Sequence, residues 1–218
     1  MGLFITFEGI EGCGKTTQVD LAAERLRRRS LPVLVTREPG GTDLGTAVRA
    51  LLLNRGERPP DAVAELFLFA AARAQHCREV IGPALAAGTI VLCDRFADAT
   101  VAYQAYGRGL PLETVRFVND LSTGPLRPDR TFLFDLEPKA GLSRALTRIA
   151  HRGGGPAEDR FEGEDLAFHE AVRRGYLEEA RRDPGRFRVI PAEGTVEEVA
   201  AAVGREMEDL LRERGYVL

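Results

Sequence analysis

A chain of 218 residues that is 44% hydrophobic and 29% charged can bury a sizeable core and lacks the bias of a disordered or fibrous protein. Its formal net charge of -3 excludes a globally basic, nucleic-acid-binding surface, and no apolar run approaches the length of a membrane span. The expectation is one α/β domain, or one such domain with a mobile insert.

The first predicted element is a buried strand, Leu3-Phe4-Ile5-Thr6-Phe7. Met1-Gly2-Leu3 runs straight into it, so no signal peptide is expected. Next comes Gly9-Ile10-Glu11-Gly12-Cys13-Gly14-Lys15-Thr16-Thr17, which matches G-x-x-x-x-G-K-[ST] without a gap and opens a helix running from Lys15 to about Arg29. Strand, Gly-rich turn and helix are the setting in which this motif cradles phosphate. The glycines let successive N–H groups point inward, and the helix N-terminus adds the positive end of its dipole. Lys15 supplies a cation for the β and γ phosphates, and the Thr16 hydroxyl is a candidate Mg2+ ligand. The chain otherwise avoids lysine, which recurs only at Lys139 among many arginines. The expected ligand of Gly9 to Thr17 is a nucleoside triphosphate.

A second strand, Pro32-Val33-Leu34-Val35-Thr36, ends in the turn-rich loop Arg37-Glu38-Pro39-Gly40-Gly41-Thr42. A short helix over 44–53 follows. Pro59-Pro60-Asp61 start a long helix to about Ala87, with Asp61 near its N-cap and Leu66, Phe69 and Arg73 at helical spacing. Thr89 to Cys93 reads as a third strand ending in Asp94-Arg95. Helices are expected over 98–105 and 111–121, a fourth strand over 130–136 and a helix over 138–150. His151 to Gly163 is Gly-rich and charged, without a period. A helix from Glu164 to about Arg182, a strand over 187–190 and a last helix from Thr195 complete the chain.

Alternating strands and helices predict a parallel sheet with helices on both faces and a ligand at the carboxyl ends of the strands. Glu11, Lys15, Arg37, Asp94 and Arg95 all fall at such ends. The cysteines, Cys13, Cys77 and Cys93, are odd in number and fit no zinc or disulfide spacing, so free thiols in a reducing cytoplasm are expected. His76, His151 and His169 have no metal-ligand spacing.

Among phosphate-loop proteins, a GTPase would need a guanine-reading Asn/Thr-Lys-x-Asp, and Pro138-Lys139-Ala140 is not one. A motor ATPase would usually polarise water with a carboxylate after a long apolar strand; here Asp94 is followed by Arg95, and an arginine at that position suits a second phosphate better. A small-molecule kinase fits best, because two anionic substrates meeting head to head need many guanidiniums, each able to grip phosphate bidentately. Arg37, Arg49, Arg73, Arg95, Arg148, Arg152 and Arg160 can supply them.

Phe7 to Thr17, Thr-Arg-Glu-Pro-Gly-Gly-Thr (36–42), Leu-Phe-Ala-Ala-Ala-Arg (68–73), Cys-Asp-Arg-Phe (93–96) and Ala-Tyr-Gln (102–104) together resemble the bacterial thymidylate kinases in order and spacing, end to end. The resemblance implies a single P-loop kinase domain over 1–218 of the nucleoside monophosphate kinase type, with about five parallel strands and a mobile lid at about 148–163. It implies ATP-dependent, Mg2+-assisted phosphorylation of dTMP to dTDP by a cytoplasmic homodimer, with no nucleic-acid or membrane partner. By the same resemblance, Phe69 stacks on thymine, Arg73 bonds the base edge, Thr100 and Gln104 read the base, and Tyr103 lies beside the deoxyribose. Glu11 lies near the acceptor sugar, and Arg37, Arg49 and Arg95 contact or bridge the acceptor phosphate. Lys15, Arg95, Arg148, Arg152 and Arg160 form the implied catalytic set. Phe96 stands where the family commonly has Tyr or His, and Gly153-Gly154-Gly155-Pro156 lengthens the lid. Gly12 stands where many members carry a catalytic Arg, which implies the variant whose lid arginines take over. Two alternatives stay open: a kinase for another pyrimidine nucleotide or a deoxynucleoside, with Glu11 as base, and a nucleotide-binding switch without acceptor chemistry.

Overall fold

In chain order the strands are β1 (Phe4–Gly9), β2 (Val33–Arg37), β3 (Ile90–Asp94), β4 (Arg130–Asp135) and β5 (Phe187–Pro191). They form one parallel sheet in the order β2-β3-β1-β4-β5 in the computed structural model, which describes residues 2–53, 59–151 and 160–216. The central strand β1 pairs with β3 from Phe4 opposite Val91 to Phe7 opposite Asp94, and with β4 from Ile5 opposite Arg130 to Gly9 opposite Phe134. Every residue of β1 is buried, as a parallel strand covered on both faces requires.

The helices are α1 (Lys15–Arg27), α2 (Asp43–Leu53), α3 (Ala62–His76), α4 (Gly82–Ala86), α5 (Ala97–Thr100), α6 (Leu112–Thr123), α7 (Pro138–His151), α8 (Leu166–Arg182) and α9 (Val196–Glu213). Alternate residues of β1 feed the two faces. Leu3, Ile5 and Phe7 join the core that includes α1 and α9, while Phe4 joins Cys77, Ile81 and Phe96. The face of Phe4 also carries Thr6 and Glu8, both fully buried.

The helix ends follow the local chemistry of the sequence. Asp61 caps α3 by accepting from Val63 N at 2.9 Å, Asp165 caps α8 from Phe168 N at 2.8 Å, and Thr195 with Glu198 closes a reciprocal capping box on α9. The long helix expected from Pro59 to Ala87 is one helical rod whose middle, Cys77–Ile81, widens to π geometry between α3 and α4. The helix expected over 98–105 differs more. After the single turn of α5 it becomes a second π stretch, Val101–Gly107, and this stretch carries Tyr103 and Gln104. Wide turns of this kind concentrate at functional sites because they re-aim side chains.

Candidate active site

The carboxyl ends of β1, β2 and β3 open into one cleft of about 840 Å³. At one end lies the phosphate loop. Lys15 folds back into it, donating from Nζ to the carbonyls of Gly9 at 2.9 Å and Ile10 at 2.7 Å, with Cys13 Sγ at 3.4 Å. Gly12 sits at φ 69° against α7, and a Cβ there would fall 2.0 Å from the Gly141 carbonyl oxygen. No side chain fits at position 12 while that approach holds. At the start of α1 the Thr16 hydroxyl donates to Asp94 Oδ2 at 2.7 Å, and both residues line the cleft. Among the described residues no cluster of three His, Cys, Asp or Glu is placed to hold a metal. A hydroxyl and a carboxylate fit Mg2+ all the same, since that ion takes few protein oxygens and completes its shell with phosphate oxygens and water.

Across the cleft stands Arg95, at φ 68°, a left-handed conformation that costs a non-glycine residue roughly 1–2 kcal/mol. The guanidinium donates to Glu11 Oε1 at 2.8 Å and to the Tyr176 hydroxyl at 3.0 Å, and lies 4.9 Å from the centre of the Tyr103 ring. Glu11 also accepts from the Tyr103 hydroxyl, and its other oxygen is 3.3 Å from His169 Nδ1. Burial works to raise the Glu11 carboxyl, but Arg95, His169, Lys15 and Tyr103 outweigh it and hold it well below the usual carboxylate range. The Tyr176 hydroxyl in turn donates to Glu8 Oε2 at 2.9 Å. Burial, reinforced by Asp98, pushes the Glu8 carboxyl up to about 8.

Phe69, Arg73, Thr100, Tyr103 and Gln104 converge on the remaining wall, with Phe161 facing them. Phe161 lies 6.4 Å from Phe69 and edge-on to Tyr103 at 5.3 Å, so the wall is aromatic with polar groups between the rings. Arg73 is 1% exposed and fixed on several sides. It donates to Glu38 at 2.7 Å, Asn119 at 2.7 Å, Thr100 Oγ1 at 2.7 Å and the Phe96 carbonyl at 3.3 Å. Glu38 is held from its other side by His76 at 3.0 Å, and His76 bonds Thr36 at 2.7 Å. The guanidinium is thereby locked before any base arrives.

The cleft gathers most of the residues singled out in the sequence. Glu11, Gly12, Gly14, Lys15, Thr16, Thr17, Arg37, Arg49, Phe69, Arg73, Arg95, Thr100, Tyr103, Gln104 and Arg148 all line it. Gly9, Ile10 and Cys13 are buried and form the floor of the loop. Arg160 does not line the cleft. Glu65 and the Leu52 carbonyl hold it, and it is buried. Arg152 and the run Gly153 to Pro156 lie outside the described residues. Sequence reasoning gave no role to Asp94 beside Thr16, to Glu38 and Asn119 behind Arg73, or to His169 and Tyr176 of α8. Asp94 and Glu38 stood inside quoted motifs and could have been read. His169 and Tyr176 share a face of α8, two turns apart, and carry no local signal.

A family model described as thymidylate kinase matches residues 7–203. The thymidylate kinase of Geotalea daltonii is 52% identical over 203 residues, spanning 93% of this chain and 95% of that one. That of Syntrophotalea carbinolica is 53% identical over 199 residues, spanning 91% and 92%. The crystal structure of thymidylate kinase from Ehrlichia chaffeensis superposes with a TM-score of 0.74 at 35% identity, covering 94% of this chain and 98% of its own.

Proposed function

This chain belongs to the thymidylate kinase family and phosphorylates dTMP to dTDP with ATP, and on that premise we propose how its cleft performs the transfer. The observation that carries the assignment is the pairing, across one cleft, of a phosphate loop with a second, arginine-rich and aromatic wall. A switch protein has no use for that wall.

The acceptor is a phosphate monoester whose second pKa is about 6, so it is already anionic at neutral pH and needs no general base. The task is electrostatic: two anions meet, and charge spreads over the transferred group. Lys15 exchanges its loop carbonyls for the β and γ phosphates. Arg95, with Arg37 and Arg49, binds the acceptor phosphate, while Glu11 meets the acceptor sugar. Phe69 stacks on thymine, Arg73, Thr100 and Gln104 read its edge, and Tyr103 flanks the deoxyribose. Thr16 and Asp94 would hold Mg2+, which, when bound, neutralises charge on the β and γ phosphates.

A lid at about 148–163 supplies the remaining cations, Arg148, Arg152 and Arg160, and excludes water on closing. Support for it comes from its two described ends. Arg148 on one side and Phe161 and Glu162 on the other line the cleft, and Arg148 lies 3.5 Å from Glu162. To join the transfer, Arg160 must leave Glu65. We further propose a homodimer, supported by an exposed apolar face with Val63 and Phe67 on α3 and Phe117 and Leu121 on α6, two helices that pack together. Cytoplasmic placement is supported by three buried cysteines, none in a disulfide. No helix among the described residues is long and apolar enough to cross a membrane.

A coupled assay across nucleoside monophosphates, with thymidine as a further acceptor, tests this reading. The expected order is dTMP first, dUMP slower, and dCMP, purine monophosphates and thymidine negligible. Preference for dCMP, AMP or thymidine would overturn it.

A further inference from the structure

We propose that Glu65, which does not line the cleft, sets the base specificity of this enzyme by fixing the orientation of the Gln104 amide. The inference rests on the reading that Gln104 meets the pyrimidine ring. Glu65 is on α3 and fully buried. One of its oxygens, Oε1, accepts from Gln104 Nε2 at 2.7 Å and from Arg108 Nε at 3.3 Å. The other accepts from Arg160 Nη2 and lies 3.4 Å from Arg108 Nη2. A carboxylate between two arginines only accepts hydrogen bonds, so the amide next to it must present its NH2. Arg108, which reaches both oxygens of Glu65, keeps the carboxylate in place when Arg160 leaves for the lid.

The consequence lies at the other end of the amide. With Nε2 committed to Glu65, the atom Gln104 offers to the cleft is Oε1, an acceptor. Thymine and uracil carry a hydrogen on N3, which such an oxygen accepts. Cytosine presents a bare N3, so two lone pairs would face each other and the buried carbonyl would stay unpaired. A site built for one hydrogen-bonding pattern rejects the opposite pattern strongly, because its polar groups are left without partners. Discrimination at N3 thus originates one residue behind the wall that touches the base.

Two variants and one complex test this. Glu65→Gln replaces an obligatory acceptor with an amide that also donates, so Gln104 is no longer held one way round. Gln104→Met removes the carbonyl and keeps the length. For each variant the quantity to follow is kcat/KM for dTMP divided by kcat/KM for dCMP. A merely structural role lowers both acceptors together and leaves the ratio alone. The proposal expects both variants to lower the ratio by about tenfold or more. If Gln104→Met lowers it and Glu65→Gln does not, the role of Glu65 is overturned and the reading of Gln104 survives. If Gln104→Met leaves it unchanged, whatever Glu65→Gln does, Gln104 does not read the base and the proposal falls, while the dTMP kinase assignment is untouched. Should Glu65→Gln not fold, a crystal structure of the unaltered chain with dTMP decides. Gln104 Oε1 on N3 with Nε2 still on Glu65 supports the proposal, and any other orientation of that amide overturns it.

Discussion

Arg95, at the end of β3, and Glu11, in the phosphate loop, meet at 2.8 Å across the floor of the cleft. The residue proposed for the acceptor phosphate and the one proposed for the acceptor sugar thus neutralise each other, and an incoming dTMP competes with that contact. Arg95→Ala should lower kcat by at least about 10²-fold, the scale seen when one stabilising donor is removed from a transition state. Lys15→Ala should do the same, with the circular dichroism spectrum unchanged in both. Near-normal turnover in either variant would remove it from the catalytic set.

The lid arginines should separate by experiment. Arg148 lines the cleft, whereas Arg160 is buried between Glu65 and the Leu52 carbonyl. Arg148→Ala is expected to lower kcat with little change in stability. Arg160→Ala strips a partner from a buried carboxylate and should destabilise the fold by on the order of 3 kcal/mol. Urea denaturation and steady-state kinetics on both variants check the contrast. An unchanged midpoint for Arg160→Ala would mean that its bond to Glu65 has no structural value.

The Asp94 carboxylate accepts from the Thr16 hydroxyl at the mouth of the phosphate loop. Asp94→Asn keeps the shape and removes the charge. The Mg2+ concentration giving half-maximal rate should rise by about tenfold, with a smaller change in the KM for dTMP. A titration of activity against Mg2+ measures it, and an unmoved midpoint would argue against an oxygen pair at Thr16 and Asp94.

Glu8 gives the fold a pH dependence of defined sign. Its carboxyl titrates near the ordinary value of 4.5 when exposed and near 8 in the fold, with burial the main cause. Between those values the folded state holds a proton that the unfolded state has lost. Stability from this group therefore falls as pH rises from about 4.5 to 8 and levels off above. Glu8→Gln carries no such proton. The stability of the native protein relative to that variant should drop between pH 5 and pH 8 by on the order of a few kcal/mol, read from urea melts at each pH. A difference that stays constant or grows with pH contradicts the assignment.

The phosphate loop was legible because its chemistry is contiguous: glycines, lysine and hydroxyl fall within nine residues between a strand and a helix. The cap at Asp61 was legible for the same reason. The supports behind the cleft were not. Gln104 and Glu65 are 39 residues apart, His76 and Glu38 are 38 apart, and Arg95 and Tyr176 are 81 apart. Only the strand order and the packing of α3, α6 and α8 bring such pairs together. The π stretch Val101–Gly107 was equally hidden, because a single widened turn leaves the spacing of apolar residues nearly helical. The partners of Arg160, Glu65 and the Leu52 carbonyl, are likewise remote in sequence.

The close approach of Gly12 to Gly141 has an evolutionary reading. The family resemblance implies relatives with a catalytic arginine at the position of Gly12. Here such a residue would need the left-handed backbone of φ 69° and would drive its Cβ into the carbonyl of the second turn of α7. A lone mutation to arginine at 12 therefore meets a steric conflict, whatever its chemical value. A lone retreat of α7 would shift the helix that carries Arg148 and yield no new cation. Passage between the two ways of distributing positive charge requires coordinated changes in the loop and in α7. Position 12 is thus guarded by backbone rather than by a side chain, and no rotamer change nearby can make room for a substitution there.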